Sequence, residues 1–86
     1  MPTISRFYGI IIQMYFGDHV PPHFHAVYAE FEALIDIQTL AVVQGELPRR
    51  AMALVLEWAQ QHREELRRNW ELCVQNRTPV NIIPLS

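Results

Sequence analysis

The chain has no lysine, so arginine supplies all seven of its basic residues. Cysteine is limited to Cys73, which excludes an internal disulfide framework. The helical position of Cys73, near Trp70 and Val74, favours a buried structural thiol over a nucleophile. No apolar run reaches the length of a bilayer span, since the uncharged stretch 7–17 is far too short, and no positively charged leader precedes it. We therefore expect a cytoplasmic protein without a membrane segment.

Length and charge limit the remaining possibilities. With 86 residues, half of them apolar, the chain is long enough for one modest hydrophobic core. Its net charge of −2 argues against a protein that simply coats nucleic acid. The planar guanidinium group of arginine nevertheless suits carboxylates and phosphates, so a local anion-binding patch remains open beside the alternative of compositional drift.

The first half of the chain, residues 1–45, alternates as a sheet does. Apolar residues fall on one face of the stretch 9–16, which predicts a strand. The loop 17–22 is short enough to return the chain antiparallel beside that strand. Three further strands are predicted over residues 23–28, 31–38 and 40–43. The pattern therefore predicts an antiparallel meander.

The period changes to that of a helix in residues 46–77. Pro48 suits the first turn of a helix, and apolar residues then recur at steps of three and four. A helix from Pro48 to about Gln75 is long for so small a domain, so we expect either one continuous helix or a break between Gln60 and Arg63. The tail 78–86 contains two prolines and is at most a short edge strand. The prediction is a single α+β domain over residues 1–86, with three to five strands packed on one long or broken helix.

The most concentrated chemistry lies in the segment 17–25. It holds three of the four histidines, His19, His23 and His25, around the pair Pro21 and Pro22. Histidine exchanges protons near neutral pH and is the commonest metal ligand. His23 and His25 are two apart on a predicted strand, so their side chains project from the same face with Cα atoms about 6.6–7 Å apart.

Three interpretations of this segment remain open. In the first, His23 and His25 bind a metal with a third ligand from His19, Asp18 or a neighbouring strand. In the second, the histidines are general acid and base at a phosphodiester while arginines hold the phosphate. In the third, they are hydrogen-bonded and shape a loop that docks a partner. The candidate catalytic residues are His19, His23 and His25, and the candidate binding residues are Arg6, Arg49 and Arg50. We expect no cofactor and no metal; a metal, if bound, would have the same three histidines as ligands.

Four segments of the chain carry a resemblance to a known family. They are the opening 1–9, the proline-histidine segment 18–25, the junction 47–51 and the helix 57–70. Together they resemble DUF4160, a family of small bacterial proteins of unknown function, and the likeness covers nearly the whole chain. Members are often encoded beside a DUF2442 protein, in pairs that look like toxin-antitoxin modules. The resemblance therefore implies a partner protein and a toxic activity.

The sequence thus predicts the toxin of a two-protein bacterial module, acting on RNA through the histidine and arginine candidates. Its partners would be a DUF2442-like protein and RNA, with no membrane, and homo-oligomerisation stays open. Whether the protein is an enzyme is also open; if it is, a metal-independent ribonuclease-like activity is expected. The alternative is a non-catalytic protein-binding module, with or without a bound metal, whose histidine loop is architectural.

Overall fold

The computed structural model describes residues 2–86, so Met1, the first residue of the predicted domain, lies outside the described residues. Five strands come first: β1 (Thr3–Phe7), β2 (Ile10–Gln13), β3 (His23–Tyr28), β4 (Phe31–Asp36) and β5 (Val42–Glu46). Two helices follow, α1 (Arg49–Gln61) and α2 (Arg63–Val74). The chain therefore has the predicted α+β organisation.

The strands form one sheet in the order β1-β2-β3-β4-β5, and every neighbouring pair is antiparallel. This confirms the predicted meander. Strand β3 lies at its centre and has the predicted bounds. Residues of one row share a position across the sheet, and the row of His25 contains Gln13, Leu34 and Gln44.

Four strands differ from the prediction, and one of them is β4, which ends at Asp36 instead of residue 38 because residues 37–39 form a turn. Strand β1 was not predicted, because a bulge between Thr3 and Ser5 interrupts its alternation. The predicted strand 9–16 shortens to β2 because Gly9 belongs to the turn that joins it to β1. The predicted strand 40–43 moves to β5, since Leu40 has a positive φ of 62° in the preceding turn. The tail forms no strand within residues 78–86, although the Ile82 amide donates to the Ile4 carbonyl oxygen at 2.8 Å.

The core lies between one face of the sheet and the helices. Alternation places Phe24 and Ala26 of β3 on that face, where both are fully buried. The indole ring of Trp58 in α1 packs there, with its centroid 5.3 Å from the Phe7 ring and 6.0 Å from the Phe24 ring. The apolar stripe of the helices therefore covers the sheet as predicted.

The helical region breaks at His62, inside the predicted interval. His62 has a φ of −127°, which is outside the helical range, and it separates α1 from α2. The tail returns across both helices: the Asn69 side chain bonds to the Val80 amide and carbonyl, and the Trp58 indole donates to the Ile83 carbonyl. Within residues 2–86, neither helix combines the length and apolar character that crossing a bilayer requires.

Gly45 lies where the neighbouring strand leaves no space for a side chain. Its φ is +79°, and a Cβ there would lie 2.2 Å from the Glu32 carbonyl oxygen in the neighbouring strand. Gly45→Ala should therefore lower the free energy of unfolding by about 2–4 kcal/mol, from left-handed strain plus the clash with backbone. Urea unfolding followed by circular dichroism measures this loss.

Gly17 provides the matched control for this substitution. Its φ of +68° is also left-handed, but a Cβ there would meet nothing within 4 Å. Gly17→Ala should cost about 1–2 kcal/mol, because only the backbone strain applies. Equal losses for the two variants would show that the approach of Gly45 to Glu32 does not constrain the fold.

Candidate functional site

Three side chains from one loop and one strand meet at the start of β3. Asp18 lies in the loop between β2 and β3, while His23 and His25 are the first and third residues of β3. Only 5% of His23 and 7% of His25 is exposed to solvent, whereas 26% of the Asp18 side chain is exposed. We call these three residues the Asp-His cluster; its buried part is histidine and its accessible part is carboxylate.

Both histidines direct the same ring nitrogen at the same carboxylate oxygen. The Nε2 atom of His23 lies 3.0 Å from Oδ2 of Asp18, and the Nε2 atom of His25 lies 3.1 Å from it. The alternation of β3 produces this convergence, because residues two apart project from one face of a strand. The loop then folds Asp18 back between the two rings. One oxygen atom is thus shared by two buried imidazoles.

The other ring nitrogen of each histidine also has a partner. His23 Nδ1 donates to the Pro21 carbonyl oxygen at 2.7 Å, and His25 Nδ1 donates to Oε2 of Glu32 at 2.9 Å. A carbonyl or an ionised carboxylate can only accept, so both Nδ1 atoms carry a proton. The orientation of both rings is therefore set on the side that faces away from Asp18.

Aromatic rings cover the cluster on two sides. The Tyr15 ring lies 4.1 Å from the His25 ring between centroids, and the Trp70 ring of α2 lies 5.3 Å from the His23 ring. Tyr15 and Trp70 therefore shield the histidines from bulk water. Because shielding lowers the local dielectric constant, it strengthens the interactions of the charged groups inside.

The electrostatics of the site centre on Asp18. Burial by itself would raise the pKa of the Asp18 carboxyl, but the hydrogen bond from His25 and the positive charge that His23 and His25 can carry lower it below its ordinary value. The pKa of the Tyr15 phenol is raised by burial and by the negative charges of Glu32 and Asp18. The ionised carboxylate is thus the preferred state of Asp18.

The structure brings together two of the three candidate catalytic histidines. His23 and His25 share the cluster, while His19 is exposed and, within residues 2–86, belongs to no hydrogen bond or ion pair. Asp18, which the sequence offered only as an alternative third ligand, occupies the central place. One oxygen of Asp18 and one nitrogen of each histidine all lie within 4.8 Å of one another, so these residues can hold protons or a metal ion between them.

Sequence reasoning missed three residues around the cluster: Tyr15, Glu32 and Trp70. Glu32 reaches His25 because β4 places it opposite Val27, diagonal to His25. That relation depends on the register of two strands, so no local pattern could have indicated it. Trp70 comes from a helix 47 positions after His23 along the chain, so only the packing of that helix brings its buried side chain to the cluster.

The candidate binding arginines lie apart from the cluster. Arg6, Arg49 and Arg50 are exposed, and within residues 2–86 no hydrogen bond or ion pair joins them to it. The register places Arg6 in the row of Val27, four residues along β3 from His23. The helix α1 begins at Arg49 with no acidic residue in its first turn. The arginines and the cluster are therefore separate features of the surface.

Cys73 is buried beside this site, as expected of a structural thiol. Burial and the charge of Asp18 raise the pKa of the Cys73 thiol above its ordinary value of 9.0. In folded protein at pH 8, Ellman's reagent should therefore react at least about tenfold more slowly than in urea-unfolded protein, because access requires local opening. Equal rates would contradict the burial of this thiol.

The raised pKa of Cys73 also has a consequence for stability. The unfolded chain loses the thiol proton first, so the contribution of Cys73 is complete below pH 9.0 and is lost as the pH rises toward the folded value. Cys73→Ala should therefore show a smaller fall in the free energy of unfolding between pH 8 and pH 10, measured by urea titration.

Comparison with known protein families identifies the family of this chain. The family model described as domain of unknown function (DUF4160) matches residues 9–71, which include the whole Asp-His cluster. No curated protein and no solved structure matches the chain significantly. Because the matched segment covers well over half of the sequence, this protein belongs to the DUF4160 family.

Proposed function

We propose that this DUF4160 protein is the toxin of a two-protein bacterial module in the cytoplasm, and that it acts on RNA through the Asp-His cluster. The observation that carries the proposal is the single Asp18 oxygen shared by two buried histidines. The proposed partner is a small DUF2442-like protein that neutralises the activity.

The burial of these polar groups favours chemistry over architecture. Burying two imidazole rings and partly burying a carboxylate is costly, and an apolar contact could close the same loop without that cost. Tyr15, Asp18 and Cys73, whose pKa values are displaced from the ordinary ones, all lie around this cluster. Such concentrations of displaced pKa values are typical of functional sites.

Cleavage of RNA needs few groups, and the cluster has the necessary types. A base must take the proton of a 2′-hydroxyl, which then attacks phosphorus, while the leaving 5′-oxygen gains a proton as its bond to phosphorus breaks. Histidine nitrogens can do both. The exposed Arg6, Arg49 and Arg50 would bind RNA phosphates or an acidic face of the partner at a distance from the cluster.

Inducible expression with and without the neighbouring gene tests this proposal. Wild-type protein alone should arrest growth and fragment RNA. Coexpression of the neighbouring gene should restore growth and keep the RNA intact. His23→Asn and His25→Asn should abolish the arrest, because asparagine retains a donor near the Nδ1 position but removes Nε2. The melting temperatures should remain within a few degrees, since the bonds to Pro21 and Glu32 are kept.

His19→Asn is the matched control, because it makes the same change at an exposed histidine outside the cluster. It should remain toxic. Toxicity that survives the His23 and His25 substitutions in folded protein would exclude the cluster from the mechanism. Absence of growth arrest and RNA damage under wild-type expression would exclude the toxin role itself.

One observation favours a second function, that of a protein-binding module. All five residues of β5 are exposed, and Val42 and Val43 retain 45% and 49% exposure at the edge of the sheet. At the opposite edge, the tail bonds to β1. A partner strand could therefore pair with β5 and cover these valines.

Val43→Lys tests this second function, because a charge on an edge strand disfavours pairing. It should weaken binding to the neighbouring protein at least about tenfold in calorimetry, with unchanged melting temperature. Val74→Lys is the control, since it adds the same charge at an exposed valine of α2. Equal binding by the two variants would remove β5 from the interface.

A further inference from the structure

We propose that Asp18, His23 and His25 bind one divalent transition-metal ion, with the two Nε2 atoms and the Asp18 carboxylate as ligands. The geometry of these residues carries the site. Only its use in RNA cleavage rests on the proposed function, where an ion would replace the metal-independent chemistry expected from sequence.

The positions of the protons are the first argument. Both Nδ1 atoms must donate, to the Pro21 carbonyl and the Glu32 carboxylate. A neutral imidazole carries only one N–H, so each Nε2 of a neutral His23 or His25 presents a lone pair. These two lone pairs point at a carboxylate oxygen that also has only lone pairs to offer. Something positive must lie between them: two additional protons or one cation.

The distances fit a shared cation. Zinc binds histidine nitrogen and carboxylate oxygen at about 2.0–2.2 Å, so two ligands on neighbouring coordination positions lie about 2.9–3.5 Å apart. The two Nε2 atoms lie 3.0 and 3.1 Å from Oδ2 of Asp18, and all three ligand atoms fall within 4.8 Å of one another. The two nitrogen–oxygen distances therefore match neighbouring coordination positions. The 4.8 Å limit on the remaining pair means that the two imidazole rings close on the ion by a side-chain adjustment.

The contacts behind the ligands are those that metal-binding histidines need. A ligating histidine almost always donates its second N–H to a carbonyl or a carboxylate, which fixes its tautomer and increases its basicity. His23 has the Pro21 carbonyl in this role, and His25 has Glu32. The charges also balance, because a dication neutralises the carboxylates of Asp18 and Glu32 while both histidines stay neutral.

The ligand set indicates the class of metal and of chemistry. Two imidazole nitrogens favour zinc or iron over magnesium or calcium, which prefer oxygen. Three protein ligands leave coordination positions open for water or substrate, as catalytic sites do. The partly exposed Asp18 side chain marks the accessible side, while Tyr15 and Trp70 close the others.

Zinc titration of untagged, chelator-treated protein at pH 7.5 tests the site. Calorimetry should show one Zn²⁺ per chain, with an increase in melting temperature. Asp18→Asn, His23→Asn and His25→Asn should each abolish stoichiometric binding. Glu32→Ala, which removes only the acceptor behind His25, should weaken it about 10–100-fold. His19→Asn should bind as wild type does.

Nitrogen NMR of the wild-type protein gives a readout that does not depend on variants folding. Zinc should shift the Nε2 resonances of His23 and His25, leave their Nδ1 atoms protonated and leave His19 and His62 unchanged. Absence of stoichiometric binding, with doubly protonated His23 and His25, would overturn the proposal in favour of a cluster held by protons. Zinc shifts at His19 or His62 instead would overturn it as well.

The growth assay separates this inference from the proposed function. If the protein binds zinc through the cluster but neither slows growth nor damages RNA, the metal site is confirmed and the toxin role is contradicted. Growth arrest by a protein that binds no metal has the opposite meaning, because it overturns only the metal site.

Discussion

The burial of β3 on both faces is the constraint on which the rest of the structure depends. Its first four residues are all buried, and alternation sends them to opposite faces of the sheet. Phe24 and Ala26 meet the apolar helices, and apolar contact satisfies them. His23 and His25 project from the other face of the strand, where Trp70 of α2 contacts the His23 ring. Their ring nitrogens need polar partners, since a buried group without a hydrogen bond costs about 1–3 kcal/mol. The demand for those partners explains the local structure of the loop.

The loop before β3 and the neighbouring strand provide these partners. Pro21 and Asp18 come from the loop, and Glu32 comes from β4. These contacts depend on one another, because a displacement of Asp18 would leave two buried imidazole nitrogens without a hydrogen-bond partner at once. A cluster connected in this way holds its members in fixed orientations, which is what either proton transfer or metal binding requires. The geometry therefore combines a structural need with a chemical capability.

One edge strand of the sheet, β1, bonds to the tail, whereas the other, β5, is exposed. The surface proposed for partner binding is therefore separate from the Asp-His cluster. At β1, the tail donates a backbone hydrogen bond and is itself fixed by Asn69 and Trp58. At β5, the valines remain exposed. The cluster at the start of β3 and the exposed edge of β5 are thus available for different tasks.

The sequence by itself determined the elements whose signal is periodic. Alternation predicted the meander, and three- and four-residue steps predicted the helical region. The length of that region suggested a break between Gln60 and Arg63 as one of two possibilities, and the break is found at His62. The sequence also paired His23 with His25, because neighbours on one face of a strand follow from geometry alone. Strand β1 was not predicted, because its bulge disrupts the alternation that would have indicated a strand.

Only the tertiary structure decided which residue completes the site. Asp18 and His19 are adjacent in a loop, where no periodicity assigns a direction to either side chain, and the path of the loop turned Asp18 inward. Strand register brings Glu32 to the cluster, and helix packing brings Trp70 there. Both depend on contacts between residues distant in sequence. The sequence shows the types of these residues but not that their side chains come together. Local patterns determine on which face of an element a side chain lies, and only packing determines which residues that face contacts.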